Sequence, residues 1–326
     1  MNFLENWLAD GKTVAIGGHV RPDGDCVGSC MALYRYIKDN FAGAEVDVFM
    51  EKPADVFDFL IPADAICYDY DTDKQYDVFF ALDSGDKERL GKAVKYFDTA
   101  LHTICIDHHI SNQGFADENF IQGELSSTCE YLCEFFEEEK ISVEAAKCLY
   151  TGIAHDTGVF QYSNTTAKTL ATVGMLMNKG FDFTSIIDRT IYTKTYRQQQ
   201  ITGRALLESM MVLDGDVIFS SVSAKEMEFY GVTPKDMDGI VGQLRTTTGV
   251  EVAIFIYELS PQVYKVSMRS NQYVDVSQIA TFFGGGGHVR AAGCTMQGSM
   301  HDVVNNLTEH IEKQILAKRQ EEKGNN

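Results

Sequence analysis

The chain is poor in positive charge: 28 Lys and Arg against 47 Asp and Glu leave a formal net charge of −19 over 326 residues. Extended contact with DNA or RNA needs a basic footprint that neutralises many phosphates, so no long nucleic-acid partner is expected. A short anionic substrate stays open, because metal ions and one or two arginines can meet its few phosphates while the surrounding acidity discourages longer polyanions. The sequence also lacks any run near the ~18 apolar residues that a membrane span requires. Met1 to Asp10 show no basic stretch followed by an apolar core. The expected location is therefore the cytoplasm, with no membrane partner. Cysteine occurs eight times but never as C-x-x-C, and Cys26/Cys30 and Cys129/Cys133 stand four apart. That is a helical repeat, and it reads as buried, reduced thiols.

What is present is an ordinary folded composition, 44% apolar and 23% charged, with only Gln320 to Asn326 reading as a frayed polar tail. The length is about twice that of a usual domain of ~100–200 residues, so two domains are expected. In the first half, strand-like runs at Thr13 to Gly17, Glu45 to Met50, Asp77 to Leu82 and His102 to Ile106 alternate with helical spacing from Val27 to Ile37. Ser127 to Glu138, Val143 to Ala154, Ala167 to Lys179 and a long stretch from Phe183 to about Met210 also read as helical. Beyond them, Val217 to Val222, Val250 to Leu259 and Tyr264 to Arg269 read as strands, and Val303 to Lys318 as a final amphipathic helix. The expected fold class is α/β: a mostly parallel, doubly wound sheet domain (residues 1–190), a helical connection (191–212) and a smaller C-terminal α/β domain (213–326). The active site is expected in the cleft between the two domains.

Ionisable residues gather where the strands should end. After the first run come His19, Asp23 and Asp25 on a turn made by Pro22 and Gly24, with Asp25 a candidate helix cap. Asp83 follows the third run, Asp107-His108-His109 the fourth, and Asp156 an apolar helical stretch. A carboxylate emerging from an apolar strand is costly to bury unless it is paired or bound to metal. Two divalent cations held ~3.5–4 Å apart need hard oxygen ligands, some imidazole and a bridging carboxylate. Asp and His without thiolate suit manganese or magnesium better than structural zinc. Water between two such ions is acidified towards a nucleophile near neutral pH, and a phosphoester is its natural target. The glycine run Gly284 to Gly287 follows a helical piece and lets backbone N–H groups approach a phosphate, with His288 and Arg269 adding charge-assisted hydrogen bonds.

These segments resemble the DHH phosphoesterases: H-x-x-P-D-G-D (His19 to Asp25), A-L-D-S-G-D (Ala81 to Asp86), D-H-H (Asp107 to His109) and G-I-x-x-D-T-G-x-F (Gly152 to Phe160). G-G-G-G-H-x-x-A-A-G (Gly284 to Gly293) is similar to their DHH-associated C-terminal domain. Within the family, the two-domain length is most similar to the NrnA-type oligoribonucleases that also act as 3′-phosphoadenosine 5′-phosphate phosphatases. The resemblance implies two manganese ions, with magnesium or cobalt as substitutes. One would be held by His19, Asp23 and Asp83, the other by Asp25, Asp83, His108 and Asp156, with Asp83 as the bridge. It further implies that Asp107 orients the motif, that His109 contacts substrate phosphate, and that Arg269, Gly285, Gly286, Gly287 and His288 hold the substrate end. The expected partners are short oligoribonucleotides and nucleotide phosphates, with a second copy of the chain in a homodimer as a further candidate. A phosphodiesterase for linear or cyclic dinucleotide messengers and a non-catalytic nucleotide sensor remain the alternatives. His155 departs from the family pattern and has no assigned role.

Overall fold

The computed structural model describes residues 3–8 and 11–324, and the chain divides into two compact units, Met1–Thr193 and Lys194–Asn326. In the first, β1 (Thr13–Gly17), β2 (Glu45–Phe49), β3 (Val78–Leu82), β4 (Thr103–Asp107) and β5 (Glu118–Ile121) form one sheet in the order β2-β1-β3-β4-β5. Every pairing in it is parallel. Residues alternate between two cores because side chains alternate along a strand. Val14, Ile16, Phe80, Leu82, Ile104 and Ile106 enter one apolar cluster, and Ala15, Phe79, Ala81 and Cys105 enter the other. The fifth strand escaped the sequence reading because Glu-Asn-Phe-Ile is a half-exposed edge with no apolar run.

The helices Gly24–Asn40, Thr128–Phe135 and Val143–Asp156 pack on the first of these cores. Two of them come close at Gly28, where an added Cβ would lie 2.6 Å from the Cys148 carbonyl oxygen. That contact is backbone and cannot swing aside.

The long helix expected from Phe183 to about Met210 is broken. The helix Phe183–Ile187 runs into a wider turn at Asp188–Tyr192, and a new helix spans Tyr196–Leu207. Thr195 accepts from the Gln198 N–H while the Gln198 side chain accepts from the Thr195 N–H. The polar residues around Thr193 to Gln200 are thus a capping box that starts a helix afresh.

The second unit holds a mixed sheet, β6 (Met210–Val212), β7 (Val217–Val222), β8 (Val252–Ser260), β9 (Val263–Ser270), β10 (Gly286–His288) and β11 (Ala291–Gln297), in the order β10-β11-β9-β8-β7-β6. Only the β7–β8 pairing is parallel. The helices Val276–Phe282 and Met300–Gly324 cover one face, and Tyr196–Leu207 and Ile240–Arg245 the other. All eight cysteines are free. Among the described residues no helix is long and apolar enough to cross a membrane.

Gly28→Ala is expected to destabilise the chain by about 1–3 kcal/mol, because a methyl forced against backbone makes two helices part. Urea unfolding should show a lower midpoint at an unchanged slope. An unchanged midpoint would mean that the helix pair is not closely packed there.

Candidate metal centre and active site

Strand order 2-1-3-4-5 reverses direction between β1 and β3, and ligands of such sheets bind outside the carboxyl ends at that point. Asp83 follows β3 directly, β4 ends in Asp107, and His19 lies two residues past β1. The His19 ring is nearly fully buried, with Nδ1 2.9 Å from the Val20 carbonyl oxygen. A carbonyl only accepts, so Nδ1 carries the proton and Nε2 faces the Asp83 Oδ2 at 3.4 Å and the Asp23 Oδ1 at 3.7 Å. Asp23 is the N-cap of Gly24–Asn40, its Oδ1 accepting from the N–H groups of Asp25 and Cys26. The expectation that Asp25 could cap this helix is corrected by that geometry. Asp25 lies inside the first turn, fully buried, where its carboxylate accepts from the Thr128 N–H at 2.7 Å and the Cys129 N–H at 2.9 Å. Ser127 caps the helix Thr128–Phe135, so the Asp25 carboxylate sits on the N-terminus of that helix.

Asp83 adopts a left-handed backbone, φ +53°, which a non-glycine residue rarely takes, and is 2% exposed. Its two oxygens face different neighbours. Oδ2 looks to His19, whereas Oδ1 lies 3.6 Å from the His108 Nε2 and 3.7 Å from the His109 Nδ1 and accepts from the Thr128 hydroxyl at 3.2 Å. The His108 Nε2 is also 3.1 Å from the Asp156 Oδ2 and 3.9 Å from the Asp25 Oδ2. Asp107 is fully buried and accepts from the His109 Nδ1 and the Asn112 amide, both at 2.7 Å, and Asn112 also donates to the Ser84 carbonyl.

Among the described residues, the ion pairs of these carboxylates are all with histidine. Burial opposes the charged imidazoles of His19 and His108. The carboxylates outweigh it, Asp23 and Asp83 pushing His19 up to about 12 and Asp156, Asp25 and Asp83 pushing His108 up to about 10. Burial and the neighbouring Asp83 push Asp25 up to about 7, and burial with Asp25 pushes Asp156 up to about 6. Asp107 holds His109 above its usual range. Converging carboxylates that cannot all ionise, with imidazole between them, make a donor set suited to divalent cations.

The structure brings His19, Asp23, Asp25, Asp83, His108, His109 and Asp156 together around one point, with Asp107 behind them. Three sets of donor atoms lie within 4.8 Å of one another: His19–Cys26–Asp83, Asp83–His108–His109 and Asp25–His108–Asp156. Sequence reasoning missed Cys26, Thr128, Cys129 and Asn112. Only Thr128 and Cys129 left a trace, in the S-x-x-E pattern from Ser127 to Glu130 that marks a helix start. His155 donates to or accepts from the Thr190 hydroxyl through Nε2 at 2.9 Å and meets Phe57 edge-on. It packs against Gly24, where a Cβ would sit 2.4 Å from its ring.

In the second unit the glycine run ends a helix, as expected, but then becomes the edge strand β10. A Cβ at Gly285 would lie 2.2 Å from the Gly293 carbonyl oxygen, and one at Gly287 2.5 Å from that of Ala291. These two glycines are thus required by strand pairing, and Gly286 stands in open space. Ala291 pairs with Arg269 on one side and His288 on the other, so all three share a face. The Arg269 Nη1 donates to the Met268 carbonyl at 3.0 Å.

The fold and the converging donors define a phosphoesterase-like architecture, and the chain belongs to the DHH family. Residues 13–153 match the DHH family N-terminal domain and residues 214–317 the DHHA1 domain. It is 30% identical to the bifunctional oligoribonuclease and PAP phosphatase NrnA of Thermus thermophilus, over 87% of this chain and 84% of that one. It is 26% identical to the NrnA of Bacillus subtilis, over 87% and 89%. Among solved structures, an exopolyphosphatase-related protein from Bacteroides fragilis superposes with a TM-score of 0.87 at 26% identity, covering 97% of this chain and 96% of that one.

With His19 raised to about 12 and His108 to about 10, a divalent cation entering the cluster at pH 7 must displace protons. Apparent affinity should therefore rise with pH from neutrality to about 10, where His108 loses its proton unaided, and titration calorimetry in buffers of different ionisation enthalpy should read net proton release. Binding without proton release would remove these imidazoles from the ligand set.

Proposed function

We propose that this protein hydrolyses very short RNA oligonucleotides, dinucleotides upward, to mononucleotides, and dephosphorylates 3′-phosphoadenosine 5′-phosphate. The observation that carries the reading is the convergence of donors from four separate stretches of sequence at the sheet's switch point, in a chain whose relatives include NrnA enzymes. We assign His19, Asp23 and Asp83 to one divalent cation and Asp25, Asp83, His108 and Asp156 to a second, with manganese as the expected ion and magnesium or cobalt as substitutes. The divergent oxygens of Asp83, one towards His19 and one towards His108, support its assignment as the shared ligand. Such ions supply Lewis acidity to the phosphoryl group and acidify the attacking water.

The chain's own residues then position and stabilise. Asp107 accepts from Nδ1 of His109 and fixes that ring, leaving Nε2 of the protonated imidazole to donate to a nonbridging phosphate oxygen. Thr128 and the N–H groups of its helix keep Asp25 and Asp83 in place. Arg269 and His288, flanking Ala291, are assigned to a terminal phosphate of the substrate, with Gly285 to Gly287 letting it approach the backbone. A cytoplasmic setting, where eight free thiols stay reduced, suits the reading.

The test is product formation from a 5′-phosphorylated RNA dinucleotide, 3′-phosphoadenosine 5′-phosphate, a cyclic dinucleotide and a long single strand, with manganese and with chelator. Manganese-dependent release of mononucleotide from the dinucleotide, with little attack on the long strand, is expected. Faster turnover of the cyclic dinucleotide would replace this reading with the messenger phosphodiesterase, and tight nucleotide binding without turnover would replace it with a sensor. Asp83→Asn should lower kcat on the order of 10³-fold, since it removes charge facing both halves of the cluster. Arg269→Ala should raise KM for the dinucleotide about tenfold, the worth of one charged hydrogen bond, with much less change in kcat.

A further inference from the structure

Cys26 is one residue beyond Asp25 on the first turn of Gly24–Asn40, and it is fully buried. Its thiol lies just past the end of β1, where it donates to the His19 carbonyl at 3.9 Å and has the Cys30 thiol beside it against Gly18. Sγ lies with the His19 ring nitrogen and an Asp83 oxygen in a group whose members are all within 4.8 Å of one another, and all three residues are buried. The backbone makes room for this approach: a Cβ on Gly18 would lie 2.4 Å from the Cys26 Sγ. An ion placed about 2.0–2.3 Å from nitrogen, oxygen and sulfur reaches such donors after a small contraction.

We propose that Cys26 is a metal ligand in this protein, completing a buried nitrogen–oxygen–sulfur site with His19 and Asp83 that favours borderline-soft divalent cations. The inference rests on the metal-centre reading given above and adds a donor to it. Thiolate favours zinc, cobalt(II) or cadmium over magnesium, whereas carboxylate and water favour magnesium and manganese. The two halves of the centre then differ: the Asp25–His108–Asp156 set offers oxygen and imidazole only, and the His19 set offers sulfur as well. On binding, the metal–sulfur bond forms as the thiol proton leaves to solvent, and no electron is transferred.

The experiment uses cobalt(II) alone as the probe, added to the metal-free full-length protein and read by absorption. Thiolate ligation gives an intense near-ultraviolet sulfur-to-cobalt charge-transfer band, while weak visible bands report cobalt in any protein site. The wild type should show both, Cys26→Ser should keep the visible bands and lose the charge-transfer band, and Cys30→Ser should keep both. Cadmium affinity at this site should fall about tenfold or more in Cys26→Ser, with magnesium affinity little changed. X-ray absorption at the cobalt edge of the wild type, which needs no variant to fold, should find a sulfur neighbour. Visible bands without charge transfer and without a sulfur neighbour would overturn the role of Cys26 and leave the metal centre standing. A charge-transfer band that survives in Cys26→Ser would assign the sulfur elsewhere and overturn it too. Absence of any cobalt band would overturn the metal-centre reading and this inference with it.

Discussion

A carboxylate sealed from water is the constraint around which the first unit is arranged. Asp25 is fully buried, and the effective penalty for burying an ion is several kcal/mol. Its two bonds from the N–H groups of Thr128 and Cys129 are charge-assisted, about 1.5–3 kcal/mol each, and so offset much of that penalty. They do not offset all of it, because the neighbouring Asp83 is also a carboxylate, and the Asp25 pKa stands at about 7. The remaining imbalance is met by imidazole and, in the reading proposed here, by divalent cations. The helix Thr128–Phe135 therefore must begin where it does, and Ser127 at its cap and Glu130 three residues on help to fix that start.

The same logic explains the strained backbone at Asp83. A residue following β3 in the ordinary extended conformation would keep alternating across the sheet. The left-handed turn at φ +53° instead ends the alternation and sets the carboxylate between His19 and His108. Such conformations persist where surroundings over-determine them. Here the Asp83 N–H donates to the Ile106 carbonyl and its Oδ1 receives the Thr128 hydroxyl. Asp107 and Asn112 do the equivalent for His109, with Asn112 tying the fourth strand's end to the Ser84 carbonyl after the third.

Much of this was legible in the sequence, because an Asp or His placed straight after an apolar run has few structural uses, and several such placements in strand order point to one sheet edge. What was not legible shares a physical cause. Thr128, Cys129 and Asn112 act through backbone N–H groups, a hydroxyl and an amide, whose partners lie as far as 104 residues away and leave no periodic pattern. Cys26 stands at helical spacing from Cys30 and is buried as that spacing predicts, whereas its approach to His19 and Asp83 depends on tertiary packing that the spacing does not show. The break before Tyr196 was hidden because a T-x-x-Q capping box has the composition of an exposed helix. Strand β10 was hidden because glycine has no strand propensity of its own; tertiary pairing with β11 imposes the conformation.

A net charge of −19 and the short anionic substrate proposed for this chain are reconciled by distance. At physiological salt the Debye length is about 8 Å, so a phosphate held by charged groups at contact feels those groups far more than the remote acidic surface. Arg269 and His288 lie two strand spacings apart across Ala291, about 10 Å, close enough for one small anion to meet both long side chains. A long strand gains nothing more from that pair, while each further phosphate adds to the repulsion from a chain of net charge −19. On the proposed reading, selection for short substrates needs no steric wall: a net negative protein repels each further phosphate, and raising ionic strength should relax the selection by screening that repulsion before it weakens the contacts at Arg269 and His288.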